Sequence, residues 1–309
     1  MAAESHDIVA APSREAPQAR ATVSIGIFAH GDAAAVSRVV GAFLAQAERD
    51  PRVVEVLLVT GTSRDGTVAA ARQAAGGSPL FRVIERPRRE GRSRAMEDFF
   101  ARAQGTVLVL CGADTVPADG ALARLVDPLD DLPTVGMVGG LVVPVGPPAD
   151  LAGRLNEALW RLHDLVARED PELGEIVALR SRLAERERPA GGFCDVVTFE
   201  HATRCSGLAL RYDREPLAYN RPPASLQALF ARRRRIACQH RAARRLLGYV
   251  PATCRTGAAA AAVARLAADR PRDAPTLALL LAVEALARTL ALVDYACGPG
   301  ATAERIWWP

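Results

Sequence analysis

The sequence predicts an α/β fold, a mainly parallel sheet flanked by helices. Three observations carry this. From Thr22 onward, short apolar runs alternate with stretches of helical periodicity, so that four strands are separated by three helices. That alternation implies parallel strands joined by right-handed crossovers. Val107–Cys111 is an unbroken apolar run, which suits a strand buried on both faces. The run ends in Gly112-Ala113-Asp114, which puts a carboxylate at the carboxyl end of a central strand, where open α/β sheets bind ligands.

The elements follow in order. Thr22–Ala29 is the first buried strand, ending at His30-Gly31-Asp32, and Asp32 is placed to cap a helix over Ala33–Arg49. Val36, Val39, Val40, Phe43 and Leu44 share one face of that helix. Val53–Thr60 is the second strand, followed by the polar turn Gly61–Thr67, in which Asp65 before Gly66 suits an Asx turn or a cap. A helix over Val68–Ala75, a strand over Phe81–Glu85, a basic loop over Arg86–Arg92 and a helix over Ser93–Ala103 lead to the central strand. Beyond it come a helix at Ala121–Leu129, a strand at Val135–Val143 and the proline-rich break Pro144–Pro148. There the alternation stops. Leu151–Ala167 is an amphipathic helix, Gly174–Arg180 a candidate strand and Asp195–Cys205 a short helix. Leu208–Tyr212 and Leu217–Tyr219 read as two short strands, and Ser225–Leu247 as a long basic helix. Two alanine- and leucine-rich helices close the sequence, Gly257–Ala268 and Pro275–Ala296. The second approaches the roughly 20 apolar residues of a membrane span. Glu284, Arg288 and Asp294 interrupt it, so it is expected to pack on the domain or lie in a membrane interface.

Composition sets limits on function. All 39 basic side chains among the 309 residues are arginine, in keeping with GC-rich coding, and the net charge is +4. That charge is too small to imply nucleic-acid binding, and no aromatic residues interleave with the arginine runs. The six cysteines form no Cys-x-x-Cys pair, which suggests a reducing compartment. Met1–Arg20 has no apolar core of a signal peptide and reads as a disordered leader.

Several stretches follow one another in order: VSIGIFAHGDAA, EVLLVTGTSRDGT, REGRSRAMEDFFARAQGTVLVLCGAD, VGMVGGLVVPV, LWRLHDL, GEIVALR, YNRPPASLQALFARRRRIACQH and LAVEALARTLALVDY with the ending ERIWWP. Taken together they resemble the family-two glycosyltransferases, inverting enzymes with the GT-A (Rossmann-like) nucleotide-sugar fold. The resemblance runs from about Thr22 to the end of the chain. It implies transfer of a sugar from a nucleotide-sugar donor to an acceptor hydroxyl or phosphate, with Mg²⁺ or Mn²⁺ bridging a carboxylate and the donor diphosphate.

The resemblance also assigns residues. Relatives often carry Asp-x-Asp at the end of the metal strand; here the triplet is Gly112-Ala113-Asp114, so Asp114 is the metal candidate. Ala29 and His30 fall at the donor end of the first strand, and Arg92, beside Gly91 at a helix N-terminus, suits a phosphate, with a solvated charged loop as the alternative for the whole cluster. The acid that relatives place after the second strand is replaced by Thr60-Gly61, leaving base recognition to backbone groups or to Thr62 and Ser63. The catalytic carboxylate of relatives is the second member of an acidic pair; here Asp195 takes the first position and Val196 the second. Asp195 is therefore the candidate base, with a role as helix cap close to equal in weight and Glu200 one turn on as the alternative. Arg232–Arg235 resembles a Gln-Arg-Arg-Arg signature, which makes Arg233, Arg234 and Arg235 candidates for the diphosphate; a basic face toward anionic lipid is the alternative.

The expected organisation is a leader over 1–21, a GT-A domain over 22–247 and a helical tail over 248–309. A cytoplasmic protein is expected, with peripheral attachment to the inner face of the cell membrane and a lipid-linked or cell-envelope acceptor as options. A non-catalytic protein of the same fold, binding a nucleotide sugar or a partner, is the competing expectation, favoured by Thr60-Gly61, Gly112 and Val196. A Rossmann dehydrogenase is discarded, because Ala29-His-Gly-Asp-Ala-Ala lacks the glycine fingerprint.

Overall fold

In the computed structural model, which describes residues 20–29, 31–61, 65–86, 91–148, 150–186 and 195–296, the first half of the chain follows the expected alternation. β1 (Val23–Ala29), α1 (Ala33–Ala47), β2 (Val53–Gly61), α2 (Thr67–Ala75), β3 (Phe81–Arg86), α3 (Gly91–Phe100) and β4 (Val107–Gly112) succeed one another. β1 pairs in parallel with both β2 and β4, and β2 with β3. Asp32 caps α1 by accepting from Ala35 N at 3.0 Å, and Asp65 accepts from Thr67 N at 3.0 Å as an Asx turn.

The period-two alternation of β1 divides the core. Val23, Ile25 and Ile27 face α1 and α2, packed with Val36, Val39, Phe43 and Ala71. Phe28 faces the other layer, where it meets Phe99 of α3 edge-on at 5.9 Å between ring centroids. Gly26 lies on that face for a steric reason: a Cβ there would stand 2.9 Å from the Phe99 ring. The polar Ser24 is buried because its hydroxyl donates to Glu55 at 2.6 Å and accepts from Gly105 N at 2.8 Å.

The second half adds β5 (Thr115–Pro117), α4 (Ala121–Asp131), β6 (Val135–Pro144), α5 (Leu151–Ala167), β7 (Ile176–Arg180), α6 (Ser181–Arg186), α7 (Val196–Cys205), β8 (Ala209–Asn220), α8 (Leu226–Leu247), α9 (Thr256–Asp269) and α10 (Ala274–Ala296). The eight-stranded sheet has the order β3-β2-β1-β4-β7-β6-β8-β5. β7 enters between β4 and β6, antiparallel to both, while β6 and β8 run parallel.

One expectation is corrected here. The two short strands expected at Leu208–Tyr212 and Leu217–Tyr219 are one strand, β8. Its register on β6 jumps from Asp213 opposite Gly140 to Pro216 opposite Leu141, so the intervening residues bulge out and the proline needs no ladder donor. Glu215 N and Arg124 Nε both donate to Asp213 and hold the bulge, at 3.0 and 2.8 Å. The segment ending in Pro117 is also a strand, β5, at the sheet edge, where a proline is tolerated.

α5, α8, α9 and α10 pack together beyond the sheet. Leu155 and Ala158 of α5 meet Leu229 of α8 and Leu280 of α10, while Val166 meets Ala262 of α9. α9 and α10 thereby bound the same space into which the strands open.

Candidate active site

The carboxyl ends of β1, β2 and β4 open into a cavity of about 690 Å³, closed on the far side by α5, α7, α8, α9 and α10. Ala29, Thr60 and Gly61 line it from the strands, Asp114 from the turn between β4 and β5, Arg92 from α3, Asp195 from the N-terminus of α7, and Arg232, Arg233 and Arg235 from α8. Chain topology thus brings most of the predicted residues together. His30 lies outside the described residues, as do Thr62 and Ser63.

Asp114 is an exposed carboxylate at the end of β4, accepting from Thr115 Oγ1 at 3.3 Å. The loop that carries it is tied to β1 through Ala113 N donating to Phe28 O at 3.0 Å. Gly112, where relatives carry the first acid, has no room for a side chain without movement of Asp114: a Cβ would stand 2.8 Å from Asp114 Oδ1 and 3.9 Å from Glu175 Oε2. The Glu175 carboxylate therefore approaches the place left by the missing acid. Among the described residues no group of three or more His, Cys, Asp or Glu side chains could hold a metal alone. A Mg²⁺ or Mn²⁺ bound chiefly by a diphosphate, water and one or two carboxylates still fits this donor set.

Glu175 precedes β7 and was not singled out by the sequence. Burial opposes its charge, but Arg232, Arg92 and Arg235 outweigh that and hold its carboxyl below the ordinary glutamate range. Arg232 forms an ion pair with it, and Glu175 in turn raises the Arg232 pKa, against the opposing effect of burial. The only foretaste of Glu175 in the sequence is a glycine followed by an acid directly before an apolar run.

Asp195 is both cap and cavity residue. Its Oδ1 accepts from Val196 N at 2.7 Å, and Thr198 Oγ1 accepts from Asp195 N at 3.3 Å, completing a capping box. It is 7% exposed. Burial raises its pKa above the ordinary aspartate range, opposed chiefly by Arg92. Glu200 has another task. It is fully buried and accepts from Leu173 N at 2.6 Å and Tyr249 Oη at 3.0 Å. Both carboxylate oxygens thus tie the loop before β7 to the residues after α8, and Glu200 is absent from the cavity wall.

The four arginines of α8 divide, as a helix requires. Arg232 and Arg235 face the cavity. Arg235 is pressed below its ordinary pKa by burial and by Arg232 beside it, so an arriving anion would relieve it. Arg233 lines the cavity but is paired with Glu284 of α10, with one bond of 3.1 Å. Arg234 is not part of the cavity wall and pairs with Asp294. Among the described residues Arg92 Nε is buried with no hydrogen-bond partner, a donor waiting for an acceptor.

The part of the cavity bounded by α5, α9 and α10 is mostly apolar, with Leu159, Val166, Val263 and Leu280 on its walls. Polar groups interrupt it, among them His163 of α5, Thr256 of α9, and Glu284 and Arg288 of α10. Asn156 Nδ2 and Trp160 Nε1, one turn apart on α5, are buried with no hydrogen-bond partner among the described residues. The amphipathic pattern of α5 placed them only as helix positions. His240 also lines the cavity, 3.1 Å from Cys254 Sγ through Nδ1, and burial lowers its pKa to about 4.

The model of glycosyl transferase family 2 matches residues 24–178, half of the chain. No curated protein sequence matches the chain significantly. Among solved structures, a mannosyltransferase from Pyrobaculum calidifontis in complex with GDP-mannose and Mn²⁺ superposes with a TM-score of 0.57 at 25% identity, covering 94% of this chain and 84% of that one. Glucosyl-3-phosphoglycerate synthase from Mycobacterium tuberculosis, in complex with Mn²⁺, UDP-glucose and phosphoglyceric acid, gives 0.56 at 20% identity, covering 75% and 81%. The second likeness establishes the shared fold alone.

Proposed function

The chain belongs to glycosyl transferase family 2, and from that premise we propose that it moves a sugar from a nucleotide-sugar donor to an acceptor with inversion at the anomeric carbon. The observation that carries this reading is the convergence of Asp114, Asp195, Arg92, Arg232 and Arg235 on one cavity at the carboxyl ends of β1, β2 and β4. The mannosyltransferase bound to GDP-mannose and Mn²⁺ supports it.

The donor would lie with its nucleoside against Ala29, Thr60 and Gly61, and its diphosphate toward Arg92 and Arg235. Asp114, with diphosphate oxygens and water, would hold Mg²⁺ or Mn²⁺, which supplies charge neutralisation at the leaving diphosphate. Arg232 stays fixed by Glu175 and adds positive charge where the leaving group gathers negative charge. Asp195 accepts the proton of the acceptor hydroxyl as that oxygen bonds to the anomeric carbon and the bond to the diphosphate breaks; its raised pKa suits a base.

The apolar walls around Asn156 and Trp160 suit an acceptor with a hydrocarbon portion, a lipid-linked or cell-envelope carrier met by a cytoplasmic enzyme at the inner face of the membrane. The test is release of nucleoside diphosphate from UDP-, GDP- and dTDP-sugars in the presence of a membrane lipid extract. Release with one donor and its loss in Asp195→Asn support transfer.

Gly112 and Val196 favour a second reading, a protein of this fold that binds a nucleotide sugar without turning it over. Donor binding with no release under any lipid extract would select it.

A further inference from the structure

α10 turns both of its acids into the domain and leaves a row of large apolar side chains exposed. Its inward positions, Leu277, Leu280, Glu284, Ala287, Ala291 and Asp294, follow a three-four spacing and include both of its acids. Glu284 and Asp294 point into the domain and pair with Arg233 and Arg234 of α8. The outward face carries Leu279, Leu286 and Val293 at seven-residue spacing, flanked by Leu281 and Leu292, each between 40% and 55% exposed. A helix of a soluble domain turns its apolar side inward and its charges to water. Here both acids are turned inside, Arg288 alone of the three charged side chains of α10 is exposed, and five large apolar side chains lie outside, so the outward face suits an apolar medium.

We propose that this face of α10 docks on an anionic lipid bilayer, with α10 lying in the interface plane. The helix is long and apolar enough to cross a membrane, with a mean hydropathy of 1.9. Its ion pairs and packing against α8 keep it on the domain instead, and crossing would carry Glu284, Arg288 and Asp294 into hydrocarbon. A basic and aromatic collar marks one end of the face: the guanidinium groups of Arg241 and Arg245 sit over the Tyr295 ring at 5.7 and 5.8 Å, and Arg244 is exposed beside them. Arginines bordering leucines match negative headgroups above an acyl layer. That charge pattern is the reason to name a bilayer rather than a second copy of the chain.

The surface and the cavity meet at Leu281, which is 42% exposed and also lines the cavity. The inference rests on the lipid-linked acceptor reading for its purpose: an amphiphile could pass from the bilayer into the apolar end of the cavity without crossing water.

The test uses the full chain in flotation with vesicles of phosphatidylcholine alone or mixed with phosphatidylglycerol, alongside solution mass and a donor thermal shift. The wild type should float with the anionic vesicles and less so at high salt. L286E/V293E should cut binding at least about tenfold, and Arg244→Gln about fivefold, the worth of roughly one basic residue at such a surface. Both variants should keep the wild-type donor shift, because neither alters the donor end. No flotation of the wild type, or undiminished flotation of L286E/V293E, overturns the proposal. So does a dimer that the same substitution splits while vesicles bind nothing, which assigns the face to a second copy. An absent donor shift in the wild type counts against the transferase reading and leaves docking standing or falling on flotation.

Discussion

Glu175 in the loop before β7 and Arg232 on α8 are ion-paired across the wall of the cavity, and Glu175 Oε2 lies 3.9 Å from where a Cβ on Gly112 would stand. One carboxylate thus positions an arginine and approaches the place of the missing first acid. Glu175→Gln should weaken Mn²⁺-dependent nucleotide binding by about 10- to 100-fold, the usual range for a residue that orients a metal's partners. Titration calorimetry with and without Mn²⁺ would measure it. An unchanged affinity would reduce Glu175 to a structural tie.

Asp195 separates stability from activity. Its folded pKa is raised above the unfolded value, so its contribution to stability is full at pH below the unfolded value and is lost as pH rises through the folded one. At neutral pH the buried charge is a burden on the fold. Asp195→Asn removes that charge and keeps a residue type that caps helices. The melting midpoint at neutral pH should hold or rise while transfer falls by about 10²- to 10⁴-fold.

The same burial sets the pH dependence. The base must be ionised, so kcat/KM should rise with pH through an acid limb above the ordinary aspartate range. Arg92 is the strongest influence opposing the upward shift of Asp195. Arg92→Leu should therefore move that limb to higher pH as well as weaken donor binding. A pH–rate profile that stays in place would separate Asp195 from the proton transfer.

The unpartnered donors of α5 predict a division between substrates. Asn156→Leu and Trp160→Phe each remove one buried donor at the apolar end of the cavity. Each should raise the acceptor KM by up to about tenfold, the worth of one hydrogen bond, with donor affinity kept. Initial rates at varied acceptor and donor concentrations would show where the loss falls.

Local pattern carried the first half of the fold. The run Val107–Cys111, the face of α1 and the caps at Asp32 and Asp195 are all encoded within a few residues, and all form as the pattern implies. Strand direction is not so encoded, and nothing in Ile176–Arg180 announces that β7 enters antiparallel beside β4. The position of Asp114 on the cavity wall was legible, because it follows directly from the end of β4. The site was illegible where partners come from afar. The engagement of Arg233 and Arg234 by α10 depends on packing, so four consecutive arginines could not be sorted in advance. Glu284 and Asp294 read as interruptions of an apolar helix, although they are its attachment points.

The most direct measurement is the thermal shift of the wild type and Asp114→Ala with GDP-mannose, UDP-glucose and other nucleotide sugars, each with and without Mn²⁺. A donor at a hundred times its dissociation constant should stabilise the fold by about 2.7 kcal/mol. The account predicts a Mn²⁺-dependent shift with one nucleotide class, lost in Asp114→Ala. No shift with any donor, or one indifferent to both Mn²⁺ and Asp114, would contradict it.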